Sequence, residues 1–425
     1  MVTRDPNLLG HGNPCYHVTH YDLALAWKPS TGRLTATARL SAVATAALSA
    51  FALDLGSFTV SRVRVAGRPA RWTHRGGKLR VRIDRSLPAG SAFEVEVRYA
   101  GRPVPVRTRH WGEVGWDELT DGVIVASQPV GAPSWFPCVD AVGEKAAYRI
   151  AVTVPDGYVV LANGSPDGRI RSGRGTTWTF DELAPMAAYL ATVQIGRYAD
   201  VELAPGQLGA VPRSLLRPFR HDFARQPAMM AAFTELFGPY PFQSYAVVVT
   251  EDELEVPVEA QGVSIFGANH VDGRRGFERL VAHELAHQWF GNSVGLAAWR
   301  DIWLNEGFAA YAEWLWAGRS GGRPAAESAA AARRRLASLP QDLVIGDPPA
   351  RDMFDDRVYQ RGALTLHAVR TALGDTAFFP MLREWTATYR HGTATTADFQ
   401  TLAQRHTTTD LAPLLSAWLF ATPLP

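Results

Sequence analysis

The sequence is poor in cysteine and in long apolar runs, and each shortage excludes a class of protein. Only Cys15 and Cys138 occur in 425 residues, too few for the disulfide framework of a small secreted domain. No apolar run approaches the ~20 residues of a membrane-spanning helix. The first residues lack the apolar core of a signal peptide. We therefore expect a cytoplasmic protein that does not enter a membrane, although a mature secreted form would have the same pattern.

Excess charge of either sign is also lacking. The chain has 43 Lys and Arg against 41 Asp and Glu, a formal net charge of +2, and only three of the basic residues are lysine. Such a balance creates no field that would recruit nucleic acid or an acidic membrane. The 47% of apolar residues is ample for a core in each of two or three domains. Composition does not indicate an oligomeric state.

The first half of the chain has the pattern of a β domain. Apolar residues alternate at period two, with Gly- and Pro-containing turns between the runs, in 20–27, 79–83 and 93–99. After residue 198 the pattern changes, since 223–237 predicts a helix and 245–250 a strand. We predict an α+β multidomain chain, with an N-terminal antiparallel β domain over 1–205 and a mainly helical domain over 206–425.

The strongest motif is His283-Glu284-Leu285-Ala286-His287, within an apolar pattern of helical spacing. Two histidines four apart lie on one helix face and can bind one zinc ion, with the glutamate between them as general base. A chance match on a buried helix is the alternative. Eighteen residues after His287, Glu306 begins a second helical run. It can complete a His2Glu site with a fourth position open for water, or be a solvated carboxylate at a helix start.

In these features the chain resembles the zinc metallopeptidase family of aminopeptidase N and leukotriene hydrolase, peptidase family M1. The matching residues are the two histidines with Glu284, the eighteen-residue spacing, and Glu306 within 303–309. The resemblance implies a saddle-like β domain, a thermolysin-like catalytic domain and one Zn²⁺ per chain on His283, His287 and Glu306. Relatives carry a further helical domain that covers the site. Because this sequence stops at Pro425, we expect a short form with a more open cleft.

The resemblance also assigns residues to substrate binding. Gln128 matches a family glutamine that reaches the first residue of the substrate, and its alternative is an ordinary turn residue. Val130 stands where many relatives have a carboxylate or Gln that helps bind the substrate's amine. Residues 256–260 match the family's Gly-Ala-Met-Glu-Asn motif only at Glu259, with Gly262 just beyond. On an edge strand beside the substrate, Glu259 would hold a free ammonium group; it could also be a surface acid.

The segment 357–362 resembles a family motif whose tyrosine donates a hydrogen bond to the reacting oxyanion, a role that falls to Tyr359. A core tyrosine with a satisfied hydroxyl is the alternative. The resemblance thus implies a zinc aminopeptidase of peptides, with Glu284 as general base. Because the amine motif is altered, an alternative is a zinc hydrolase of a non-peptide or N-blocked substrate (an epoxide, ester or biosynthetic intermediate), or an endopeptidase. A non-catalytic binding protein is the third hypothesis.

Overall fold

The computed structural model describes residue 8, residues 10–173 and residues 175–425. The strands are β1 Tyr16–Lys28, β2 Arg33–Ala44, β3 Leu48–Asp54, β4 Thr59–Val65, β5 Arg68–Pro69, β6 Arg71–Arg75, β7 Lys78–Leu87, β8 Ala92–Gly101, β9 Val106–Arg107, β10 Glu113–Leu119, β11 Gly122–Ala126, β12 Lys145–Val154, β13 Val159–Ala162, β14 Ser165–Ser172, β15 Gly175–Ala187, β16 Val193–Gly196, β17 Tyr198–Ala204, β18 Gln207–Pro212, β19 Tyr245–Val249, β20 Val258–Ala260, β21 Val263–Phe266, β22 Gly295–Leu296 and β23 Thr393–Ala394. The helices are α1 Leu216–Asp222, α2 Gln226–Phe237, α3 Glu278–Ala286, α4 Trp303–Arg319, α5 Ala325–Ala337, α6 Asp356–Leu373, α7 Asp375–Thr388, α8 Thr396–Gln404 and α9 Ala412–Leu415. The β-rich first part and the helical second part confirm the predicted fold class.

The chain divides into two compact units that interleave along the sequence. The first consists of residues up to Glu202 with 208–216 and 242–268, and the second consists of 203–207, 217–241 and 269–425. The predicted domain boundary near residue 205 stays a prediction.

The first unit is built on an eight-stranded sheet in the order β14-β15-β12-β1-β2-β8-β4-β5. Burial alternates along β1, because successive side chains of a strand point to opposite faces. Most strand pairs in this sheet are antiparallel, as predicted, but β1 pairs with β12 in parallel. The long connection between these strands allows this, whereas a short hairpin would impose an antiparallel pair.

A five-stranded sheet in the same unit, in the order β17-β18-β19-β21-β20, carries Glu259 on its edge strand. Among the strands that the structure describes, β20 pairs with β21 and lies at the edge of the sheet. An edge strand is the kind of strand to which an extended chain can add. Behind the strands lies an apolar core that includes Val248, Val263 and Ile265. The edge position of the Glu259 strand agrees with the expectation from the resemblance.

The second unit packs its helices around aromatic side chains. Phe290 stacks on Phe308 of α4 with ring centroids 4.2 Å apart, and Trp303 meets Phe399 of α8 edge-to-face at 5.5 Å. Such pairs stabilise beyond the area they bury. Helix α8 begins with a capping box, in which Thr395 is the N-cap and Asp398 the reciprocal acid. The aromatic core holds α4, the helix that carries Glu306.

Helices α4 and α6 meet backbone to backbone at two glycines. A Cβ added to Gly307 would lie 2.8 Å from Cα of Gly362, and one on Gly362 would lie 2.8 Å from Cα of Gly307. Only residues without a side chain allow this approach. Gly307 follows Glu306 directly, so the crossing fixes the backbone behind that carboxylate.

Two further observations concern the cysteines and the apolar segments, both of which are scarce in the sequence. Both cysteines are free, Cys15 exposed and Cys138 buried. Among the residues that the structure describes, no helix combines the length and the apolar character needed to cross a membrane.

Candidate metal centre

Helix α3 positions the two histidines. Its last helical residue is Ala286, and His287 is the C-cap, with its backbone N–H 3.2 Å from the carbonyl of His283. The apolar pattern continues to Phe290, but after α3 the chain turns back through Gly291, whose φ is +116°, a conformation that favours glycine. The four-residue spacing places both imidazoles on one face, with ring centroids 4.7 Å apart and planes at 77°.

The first turn of α4 brings Glu306 to these rings. Its Oε2 lies 3.6 Å from Nε2 of His283 and 3.5 Å from Nε2 of His287. One potential ligand atom from each of the three residues falls within 4.8 Å of the others, and all three side chains are buried. The structure thus brings together the three predicted metal ligands.

The other nitrogen of each imidazole faces an acceptor. Nδ1 of His283 is 2.7 Å from Oε1 of Glu313, and Nδ1 of His287 is 3.1 Å from the carbonyl oxygen of Phe290. When each Nδ1–H donates to its acceptor, each Nε2 presents a lone pair toward Glu306. For the neutral imidazoles, these two acceptors favour the tautomer whose Nε2 can bind a metal ion.

Glu313 is a functional residue that the sequence analysis missed. It lies seven residues after Glu306 on α4, two helical turns along the same face. This spacing was a usable signal. Arg279 of α3 donates from one nitrogen to both Glu313 oxygens, at 2.9 and 3.0 Å. The carboxylate is thereby oriented toward His283.

The electrostatics of the cluster favour a bound cation. Burial opposes ionisation of Glu306, but the adjacent His287 and His283 outweigh it and lower the pKa of this carboxyl. Burial likewise opposes charge on His283, yet Glu306 and Glu313 raise the pKa of its imidazole well above the usual range. Negative potential at two buried imidazoles suits a positive ion. Two imidazole nitrogens and one carboxylate oxygen that converge are the donor set that catalytic zinc prefers, so these residues fit Zn²⁺.

The two predicted catalytic residues are both neighbours of His283. Glu284 follows it directly in the sequence, and Tyr359 contacts its ring. Glu284 is 3% exposed and sits on α3 between the histidines. Tyr359, in the first turn of α6, stacks its ring on that of His283, with centroids 5.9 Å apart and planes at 19°. Asp355 caps this helix by accepting from the backbone N–H of Arg357 at 2.9 Å. The roles of Glu284 and Tyr359 stay predictions.

The predicted substrate-binding residues come together in the first unit. Nε2 of Gln128 donates to Oε1 of Glu259 at 2.7 Å, although 131 positions separate the two residues. Gly262 forms the turn between β20 and β21 with φ +74°, where glycine is favoured. Val130 is buried and offers no polar group. The structure thus pairs Gln128 with Glu259, while their role toward a substrate stays a prediction.

Comparison with known proteins covers both parts of the chain. The family profile for the peptidase M1 N-terminal domain matches residues 17–190, and that for the peptidase family M1 domain matches residues 223–418. Among curated proteins, leukotriene A-4 hydrolase of Xenopus laevis is 25% identical over 63% of this chain and 46% of its own length. Aminopeptidase N of Oryctolagus cuniculus is 25% identical over 73% of this chain and 35% of its own length. The chain spans about half or less of the length of such curated relatives.

Solved structures of similar length also match. An M1 zinc metallopeptidase from Deinococcus radiodurans, in a variant bound to a Tyr-Ser-Ala substrate, has a TM-score of 0.89 and 30% identity. The match covers 99% of this chain and 98% of that one. Because the two family profiles and this solved structure together account for nearly the whole sequence, the chain belongs to peptidase family M1, a family of zinc metallopeptidases.

Proposed function

We propose that this protein is a zinc-dependent aminopeptidase, which hydrolyses the first peptide bond of a peptide with a free N-terminus. The observation that carries the proposal is the convergence of Nε2 of His283, Nε2 of His287 and Oε2 of Glu306, with each Nδ1 facing an acceptor. A site with three protein ligands leaves a coordination position for water or substrate, as catalytic zinc sites do.

The chemistry divides among the metal and the chain's own groups. Bound zinc would supply a lowered pKa of water and polarisation of the scissile carbonyl. Glu284 would take the proton of the attacking water and pass it to the leaving amine. The phenol of Tyr359 would donate a hydrogen bond to the negative charge that develops on the carbonyl oxygen.

Selection of the N-terminus would fall to Glu259. Its carboxylate can pair with a substrate ammonium group, and a fixed ammonium position limits cleavage to the bond after the first residue. Gln128 orients the carboxylate through the 2.7 Å hydrogen bond to Oε1. The solved Deinococcus radiodurans relative was captured with a tripeptide substrate, which supports a peptide as substrate class.

One observation favours a second candidate, hydrolysis of N-blocked or non-peptide substrates. Val130, buried and apolar, stands where many family members have a second polar group for the amine. One oxygen of Glu259 already accepts from Gln128. A site with a single carboxylate would discriminate less strongly against a blocked amine.

Paired substrates separate the two candidates. Each aminoacyl-arylamide is compared with its N-acetylated form, with and without a zinc chelator. We expect cleavage of the free form only, and loss of cleavage with the chelator. Equal rates on both forms would reject the aminopeptidase proposal in favour of the second candidate. Glu259→Gln should lower kcat/KM for the free form by about 10- to 100-fold, since a charged hydrogen bond to the ammonium is lost.

The Glu284→Gln variant tests the catalytic step. It should keep its zinc and lose activity by at least about 10²-fold, because the amide cannot accept the proton. Glu327→Gln, the same change at an exposed site on α5, is the matched control and should have full activity. Full activity of Glu284→Gln would contradict the assignment of the general base.

A further inference from the structure

Arg361 is a buried charge with an unusual set of partners. Its side chain lies in α6 and is 4% exposed. The guanidinium donates to five backbone carbonyl oxygens of the segment 417–423: Nε to Trp418 at 2.7 Å, one terminal nitrogen to Thr422 at 2.6 Å, and the other to Ala417 at 3.0 Å, Ala421 at 2.6 Å and Pro423 at 3.0 Å. All five of these acceptors are backbone carbonyls, and none of them is a carboxylate.

The chemistry of these partners accounts for the burial. Ala417 and Trp418 belong to a π-helical turn over 416–420, and the last carbonyls of a helix have no partner within it and carry partial negative charge. The other three acceptors follow directly after this turn. A guanidinium has five N–H donors in a rigid plane. Here they satisfy the carbonyl groups that would otherwise need water. The segment 417–423 and Arg361 therefore stabilise each other, because without the segment the buried guanidinium would lose these five acceptors, and without the guanidinium the carbonyl of the buried Trp418 would lose this donor.

The segment is itself held from its other side. The backbone N–H of Gly346 donates to the carbonyl of Leu419 at 2.8 Å, and the N–H of Leu424 donates to the side chain of Gln341 at 3.1 Å. Leu419 is fully buried. Arg361 thus connects α6 to a part of the second unit that other hydrogen bonds already hold in place.

The position of Arg361 on α6 connects this anchor to the candidate active site. Two residues before it is Tyr359, and two positions on a helix are about 200° apart. Tyr359 therefore faces His283 while Arg361 faces the opposite side. One residue after it is Gly362, which touches Gly307 behind Glu306. The first two turns of α6 are held between the metal cluster and the segment 417–423.

We propose that Arg361 is a positioning residue for the reaction. By binding the carbonyls of 417–423, it sets the rotation of α6 about its axis and the position of α6 along that axis. Both determine where the hydroxyl of Tyr359 lies. This inference rests on the proposed function of Tyr359 as oxyanion donor. Displacements of about 1 Å in a catalytic group cost up to about 10²-fold in rate, so a small change in the rotation of α6 should be measurable.

Arg361→Lys is the sharpest perturbation. Lysine keeps the positive charge, but its three donors surround a single nitrogen atom. It therefore cannot reach all five carbonyls that the planar guanidinium contacts. We expect a loss of kcat of about 10- to 100-fold, with KM and zinc content nearly unchanged. Arg333→Lys, at an exposed position on α5, is the matched control and should have the kcat of the unaltered protein.

A double-mutant cycle with Tyr359→Phe distinguishes positioning from general loss of structure. If Arg361 acts through the tyrosine hydroxyl, Arg361→Lys should lower kcat by no more than about twofold in the Tyr359→Phe background, because coupled residues are not additive. An equal loss in both backgrounds would overturn the proposal. Leu419→Ala loosens the same segment with Arg361 intact and should repeat the pattern, which covers the case that Arg361→Lys does not fold.

Amide hydrogen exchange provides a readout that needs no activity. In Arg361→Lys, exchange should become faster in 417–423 and also in 356–363, while α7 stays unchanged. Unchanged exchange in 356–363 would overturn the proposal even if the protein hydrolyses no aminoacyl substrate. Failure of the unaltered protein to cleave such substrates, with the exchange effect present, would instead reject the proposed function alone.

Discussion

Glu313 offers the most informative single substitution, because it contacts a metal ligand without being one. Its Oε1 is 2.7 Å from Nδ1 of His283, and Arg279 occupies both oxygens. In Glu313→Gln one carboxylate oxygen becomes an NH2 group, which cannot accept from Arg279, and the negative charge that increases the basicity of His283 disappears. Substitution of such outer partners typically weakens metal affinity by about 10- to 100-fold, or about 1.4–2.8 kcal/mol.

Zinc affinity can be measured by competition with a chelator at neutral pH, independently of any substrate. Arg279→Gln is the control, since it leaves the bond between Glu313 and His283 in place. The Arg279 side chain is 63% exposed, and an ion pair of that kind contributes at most about 1 kcal/mol, so affinity should fall less than about fivefold. Unchanged zinc affinity in Glu313→Gln, or a larger loss in Arg279→Gln, would refute the reasoning.

Three further predictions concern catalysis, packing and pH. Tyr359→Phe should lower kcat by about 10²- to 10³-fold with little change in KM; steady-state kinetics giving an unchanged kcat would remove it from the mechanism. Gly307→Ala places a methyl group 2.8 Å from the backbone of Gly362 and should lower the free energy of unfolding by about 1–3 kcal/mol. Gly318→Ala on the same helix, where the nearest atom would be 3.5 Å away, is the control and should not destabilise the protein; equal thermal midpoints for the two variants would contradict this. Burial raises the pKa of Glu182 from 4.5 to about 7, so the folded protein binds this proton more tightly than the unfolded chain and loses stability as pH rises from about 4.5 to 7. Glu182→Gln should therefore stabilise by on the order of 3 kcal/mol at pH 8 and hardly at all at pH 4, and a pH-independent effect on the melting temperature would count against it.

Local sequence patterns predicted much of the fold and the three metal ligands of the candidate site. The period-two runs at 20–27, 79–83 and 93–99 lie within β1, β7 and β8, because alternation along a strand is set by the backbone itself. The spacing of His283 and His287 likewise fixes one helix face. The chemistry of the three ligands depended on residue types that can be read directly.

Contacts between distant segments could not be read in this way. The parallel pairing of β1 with β12, the bond from Gln128 to Glu259 and the anchor of Arg361 on 417–423 each join residues far apart in sequence. No periodicity encodes such contacts, since they arise only when packing brings two segments to one place.

Residue type and spacing in the sequence alone determined which groups can bind a metal and transfer a proton. Tertiary structure alone decided which nitrogen of each imidazole faces Glu306, that Glu313 supports His283, and that Tyr359 stacks on that ring. The physical reason is that chemical capacity belongs to single side chains, whereas orientation and buried electrostatics belong to the surroundings that folding assembles.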